Sequence, residues 1–87
     1  MTIVLLTRSG CAACLTARTT LARICADVNL EFTETDVDDA ARSGDKTLRA
    51  EYGDRLPVVL LDDVEHSYWE VDEPRLRDDL ARRQGRK

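Results

Sequence analysis

Three cysteines, a single histidine and two prolines hold most of the chemistry open to this chain. Cys11 and Cys14 stand three positions apart in the run VLLTRSGCAAC. Two thiols at that spacing in the first turn of a helix can reach disulfide geometry. Backbone N–H groups left free at a helix start stabilise a thiolate over a thiol. The spacing therefore assigns Cys11 as an exposed nucleophile. Cys14, on the inward side of the helix, becomes the resolving thiol that attacks a mixed disulfide at Cys11. A stable structural disulfide, two inert thiols and a metal knuckle are the alternatives. A closed zinc site needs four ligands, and the other soft candidates are Cys25 and His66. Cys25 lies eleven positions beyond Cys14, about 16 Å along a helix at ~1.5 Å per residue. One ion or one S–S bond cannot span that gap, so no metal site is expected.

The remaining candidates have narrower readings. Cys25 falls on an apolar stripe and reads as a small buried hydrophobe. His66 reads as a surface side chain on the outer face of a hairpin rather than as a general base. Tyr68 and Trp69 are placed over the edge of the core, with a substrate groove as the alternative. Pro57 opens an apolar run directly after Leu56. Proline in a sheet is confined to strand starts, edges and bulges, and an X–Pro bond is where a cis peptide costs least. A cis Leu56–Pro57 bond would turn the Leu56 N–H and C=O outward for pairing with an extended substrate. A trans proline at the start of a strand is the other possibility.

The elements that must position these residues follow from pattern. Residues 2–7 (TIVLLT) form an apolar, β-branched run without alternation, the mark of a strand buried on both faces. Arg8-Ser9-Gly10 breaks it. Apolar residues then recur at 14, 17, 21, 24, 25 and 28, one face of a helix that ends at residues 27–29. Residues 30–35 predict a second strand. The acidic stretch 36–39 suits a helix start, and a helix is expected to run to Tyr52 with Ala41, Leu48 and Tyr52 inward. Ser43-Gly44-Asp45 is its weak point, so the helix can instead begin at Asp45. Residues 57–61 form a third strand, Asp62-Asp63 a two-residue turn, and residues 64–71 the returning strand of a hairpin. Asp72 caps a final helix with Pro74 in its first turn and Leu76 and Leu80 buried. The order is βαβαββα in one α/β domain over residues 1–87, with a four-stranded mixed sheet flanked by three helices. A close Cys pair where a strand of a βαβ unit turns into a helix is a redox signal.

Composition excludes several classes. Eighty-seven residues with 43% hydrophobic and 34% charged content suit one packed domain. No apolar run approaches the ~18 residues of a membrane span, and no basic residue precedes the short apolar start as a secretory signal would require. A cytoplasmic location is expected. The net charge of −4 repels nucleic acid and anionic membranes, so neither is expected as a partner. The basic patch Arg82, Arg83, Arg86 and Lys87 reads as a solvated helix end.

These residues resemble the glutaredoxin branch of the thioredoxin superfamily. The likeness runs from Thr2 to about Arg83 and rests on VLLTRSGCAAC, on YGDRLPVVLL with its strand-opening proline, and on the element order. It implies a thiol–disulfide oxidoreductase with Cys11 and Cys14 catalytic and a cis Pro57. Leu56 and Pro57 would bind substrate. Glutaredoxins often carry a basic residue three positions before the first cysteine, and Arg8 holds that place. The resemblance gives it a role in favouring the thiolate or holding a carboxylate of a small thiol, with a solvated arginine as the alternative. The partner would be a disulfide-containing protein or a low-molecular-weight thiol, and the chain a monomer. No metal or organic cofactor would be needed beyond glutathione or another small thiol as co-substrate. Ala12-Ala13 replaces the family's Pro-Tyr, Arg55-Leu56 its Thr-Val, and His66-Ser67-Tyr68-Trp69 offers no Gly-Gly turn. Bulky side chains there would crowd a glutathione site of the usual build. A binding or adaptor module with little turnover, and metal or Fe–S binding through Cys11 and Cys14, are the rival functions.

Overall fold

A computed structural model describes residues 1–84. Eight elements follow in order: β1 (Ile3–Thr7), α1 (Ala12–Asp27), β2 (Thr33–Asp36), α2 (Val37–Arg42), α3 (Thr47–Tyr52), β3 (Val58–Leu61), β4 (Val64–Tyr68) and α4 (Glu73–Gln84). The strands form one sheet in the order β2-β1-β3-β4. β1 pairs parallel with β2 and antiparallel with β3, and β3 pairs antiparallel with β4. The fold is therefore α/β with a mixed four-stranded sheet, as the pattern of apolar residues required.

Two apolar clusters fill the two faces of the sheet. Ile3, Leu5, Val59 and Leu61 pack with Ala17, Leu21, Ile24 and Cys25 of α1 and Leu76 and Leu80 of α4. Leu6, Val58 and Leu60 pack with Val37 and Tyr52, with Leu48 and Leu56 against them. β1 contributes to both clusters, which is why its sequence shows no polar alternation.

Local chemistry sets the ends of the elements. Asn29 takes a left-handed conformation (φ 60), and Leu30 N–H donates back to the Cys25 carbonyl at 2.8 Å, closing α1. Asp36 accepts from the N–H groups of Asp38 and Asp39 and so caps α2. Asp72 accepts from Arg75 N–H in the first turn of α4. Asp62 and Asp63 both have positive φ, the geometry of a two-residue hairpin turn.

Three expectations need correction. The middle helix is two helices, because Gly44 (φ 110) lets Asp45 N–H close on the Ala40 carbonyl at 2.9 Å; four helices flank the sheet, not three. The hairpin strand ends at Tyr68 rather than at residue 71. His66 is not on an outer face: its side chain is 6% exposed, with Nε2 2.7 Å from Asp79 Oδ2 on α4. Of the terminal basic patch, Arg82 pairs with Asp78 and Asp79 and Arg83 with Asp62, while Arg86 and Lys87 lie outside the described residues. No helix among the described residues is long and apolar enough to cross a membrane.

Candidate active site

Strand register brings the relevant residues to one end of the sheet. Leu6 pairs with Val58, Val58 with Tyr68, and Thr7 with Asp36. The chain thus leaves β1 toward Cys11, enters β3 from Pro57 and leaves β4 at Trp69, all on the same edge. Gly10 makes the first of these turns with φ 76, a conformation that costs a side-chain-bearing residue about 1 kcal/mol. It delivers Cys11 to the N-cap of α1.

Cys11 and Cys14 occupy unequal positions. The Cys11 backbone is extended (φ −98, ψ 106), and its Sγ accepts the Cys14 backbone N–H at 3.1 Å. Sulfur here takes the place that a serine or aspartate oxygen fills at other helix starts. The Cys11 residue is half-buried, whereas Cys14 is 2% exposed. Their Cα atoms are 5.2 Å apart and the two sulfurs are joined, within the usual Cα separation of about 4.4–6.8 Å. Cys25 sits farther along the same continuous helix, inside the core with Leu21 and Ile24. Burial pushes its thiol above the ordinary range.

Pro57 is buried and follows a cis peptide bond from Leu56. The Leu56 side chain packs on the cluster around Leu6 and Tyr52. Arg8 reaches the same edge but is forked onto Asp38, with Nε to Oδ2 at 3.0 Å and Nη2 to Oδ1 at 3.2 Å. The hydrogen bond from Arg8 holds the Asp38 carboxyl below its ordinary value. The guanidinium is thus committed to the start of α2.

Below Cys14, the buried Thr7 hydroxyl donates to Glu34 Oε2 at 2.9 Å, and Arg18 forks onto the same carboxylate at 2.6 and 2.5 Å. The Arg18 hydrogen bond lowers the Glu34 pKa, against a smaller opposing effect of burial. This cluster ties α1 to β1 and to the edge strand β2.

Tyr68 and Trp69 do not cover the core edge. Both are exposed, Trp69 by 61%. Trp69 is left-handed (φ 69), and its N–H donates to the carbonyls of Pro57 at 2.8 Å and Arg55 at 3.1 Å. The alternative reading of the pair, a groove, fits Trp69 better, since it lines a cleft with Ala13, Thr16, Ala17 and Thr20 of α1.

A family model described as "Glutaredoxin-like domain (DUF836)" matches residues 2–81. The chain belongs to that glutaredoxin-like family. Uncharacterized proteins of Mycobacterium tuberculosis (Rv0508) and Mycobacterium bovis (Mb0520) are each 58% identical to this glutaredoxin-like chain over 78 residues, covering 90% of it and 80% of their own length. An X-ray structure of the structural-genomics target XcR50 from X. campestris superposes with TM-score 0.67 at 32% identity, covering 90% of this chain and 93% of that one. A crystal structure of the thioredoxin-like protein BC3987 gives TM-score 0.55 at 17% identity over 86% and 97% of the two chains. That last likeness shows the thioredoxin-like fold alone.

Proposed function

We propose that this glutaredoxin-like protein is a thiol–disulfide oxidoreductase. The observation that carries the reading is the asymmetry of the cysteine pair: a half-buried Cys11 at the cap of α1, bonded to the buried Cys14. The match to a glutaredoxin-like family model supports the same class.

In the reduced protein the Cys11 thiolate attacks one sulfur of a substrate disulfide. The Cys11–substrate S–S bond forms, the substrate's own S–S bond breaks, and the first product thiolate leaves and takes a proton from water. Cys14 then gives its proton to solvent and attacks the Cys11 sulfur. The Cys11–Cys14 bond forms and the second product thiol departs. Two electrons have passed to the substrate. Two equivalents of glutathione or another small monothiol, or one dithiol reductase, return them. Free N–H groups at the start of α1 favour the thiolate needed in the first step.

Pro57 sets the edge against which an extended substrate segment lies, with the Leu56 backbone as its pairing partner. Arg8, held by Asp38, contributes positive charge beside the site rather than a free hand for a substrate carboxylate. In this reading the chain works as a cytoplasmic monomer without metal or organic cofactor. Its partner is a disulfide-containing protein or a low-molecular-weight disulfide.

Reduction of hydroxyethyl disulfide, of a glutathione mixed disulfide and of insulin by one preparation tests the reading. Turnover of any of them that vanishes in Cys11→Ser supports it, and the ranking identifies the substrate class. Equal rates in wild type and Cys11→Ser would remove it. Metal analysis of anaerobically purified protein checks the rival reading of a bridged metal centre.

A further inference from the structure

A groove of about 250 Å³ runs between the outer side of α1 and the segment after β4. Ala13, Thr16, Ala17 and Thr20 form one wall, and Trp69, Glu70 and Val71 the other. Ala13 lies between the two cysteines, so the groove begins within about one helical turn of the Cys11 sulfur.

Its aromatic wall is fixed. The Trp69 backbone is pinned by two hydrogen bonds to the carbonyls of Arg55 and Pro57, in the segment that leads into β3, and the Tyr68 ring meets its indole edge-on at 4.9 Å. A left-handed tryptophan held 61% exposed gains little from burial and is costly in backbone terms. Such outliers persist where the exposed group is used.

Its charge is also uncompensated. Arg18 is taken by Glu34, Arg23 by Glu73 and Arg75 by Asp72. Glu70 is exposed and has no ion-pair partner among the described residues. The groove therefore combines an open indole face with a free carboxylate, the pair of features that receives a cation.

We propose that Trp69 and Glu70 are specificity-determining residues that dock a basic side chain, Arg or Lys, flanking the cysteine of a polypeptide disulfide substrate. The inference rests on the oxidoreductase reading and names its substrate class. The cationic head lies over the indole and pairs with Glu70, and its apolar stem lies along Ala13 and Ala17. The substrate sulfur is thereby held at Cys11.

Single-turnover oxidation of the pre-reduced protein decides the matter. The probes are two symmetric peptide disulfides, identical except for Arg or Glu beside the cysteine, with hydroxyethyl disulfide as a neutral reference. Wild type should react about tenfold faster with the Arg peptide at low salt, and the ratio should shrink as salt rises. Trp69→Ala and Glu70→Gln should each lower the Arg-to-Glu ratio by about threefold or more. Both side chains are exposed, and thermal melting checks that the variants stay folded. Indistinguishable peptides in wild type, or an unchanged ratio in both variants, would overturn the proposal while hydroxyethyl disulfide still reacts. Inertness of all three probes would instead overturn the redox reading, and this proposal with it.

Discussion

The backbone N–H of Cys14 donates to the Sγ of Cys11 at 3.1 Å. The residue behind the outer sulfur therefore also supplies it with a hydrogen bond. Cys11 is partly exposed, and Cys14 is buried. In the proposed mechanism that difference divides the labour between two chemically identical groups.

It also makes the two serine variants differ in kind. Cys11→Ser should lower disulfide reduction at least about 100-fold, because no nucleophile remains at the helix cap. Cys14→Ser should still complete the first attack and accumulate a mixed disulfide detectable by intact-mass spectrometry. Equal accumulation in both variants would contradict the assignment.

Cys25 should behave as core. Its thiol is 2% exposed and raised by burial, so iodoacetamide should label at most two sulfurs of the reduced native protein, and the third only in denaturant. Cys25→Ala should cost about 1–2 kcal/mol of stability, by loss of a small buried group. Its rate of disulfide reduction should stay within about twofold of wild type.

Acid should loosen the fold through its paired carboxylates. Glu34 is held low mainly by Arg18, Asp38 by Arg8 and Glu73 by Arg77. A folded pKa below the unfolded one contributes stability that is complete above the unfolded value, about 4.5 for Glu and 3.8 for Asp. That stability disappears as pH falls through the folded value. The Tm should be flat from pH 7 to about 5 and then fall by about 10 °C toward pH 2.5. Glu34→Gln should flatten that fall, and an identical pH profile would contradict the pairing.

The contact between His66 and Asp79 ties the edge strand to the last helix. Removing the imidazole empties a buried site and strips one partner from the carboxylate. His66→Ala should lower the Tm by about 5–10 °C, measured by thermal melting at pH 7. Val64→Ala, at an exposed position of the same strand, should change it little.

Much of this was legible in the chain. The α1 stripe at 14, 17, 21, 24 and 25 is buried as its spacing required, and the CxxC run lies where a doubly buried strand becomes a helix. His66 escaped the reading because counting alternate residues fails at a bulge. Ser67 stands opposite Val59 and Glu65 opposite Leu60, leaving His66 as the extra residue that turns toward α4. Trp69 escaped because its exposure depends on a left-handed backbone held by Pro57 and Arg55, partners more than ten positions away. The split at Ser43-Gly44-Asp45 was visible as a weakness. That both sides of it stay helical was decided by packing, since Val37 and Ala41 of α2 and Tyr52 of α3 are all buried.

The Cys11–Cys14 bridge encloses only a four-residue loop. Tethering so short a stretch removes less freedom from the unfolded polypeptide than a staple between distant segments would. Closing it contributes about 2 kcal/mol by loop entropy, against about 5 for a loop of about 100 residues. In the proposed cycle the bond can therefore open and shut at a modest and repeatable change in stability, with the packed core left as it is.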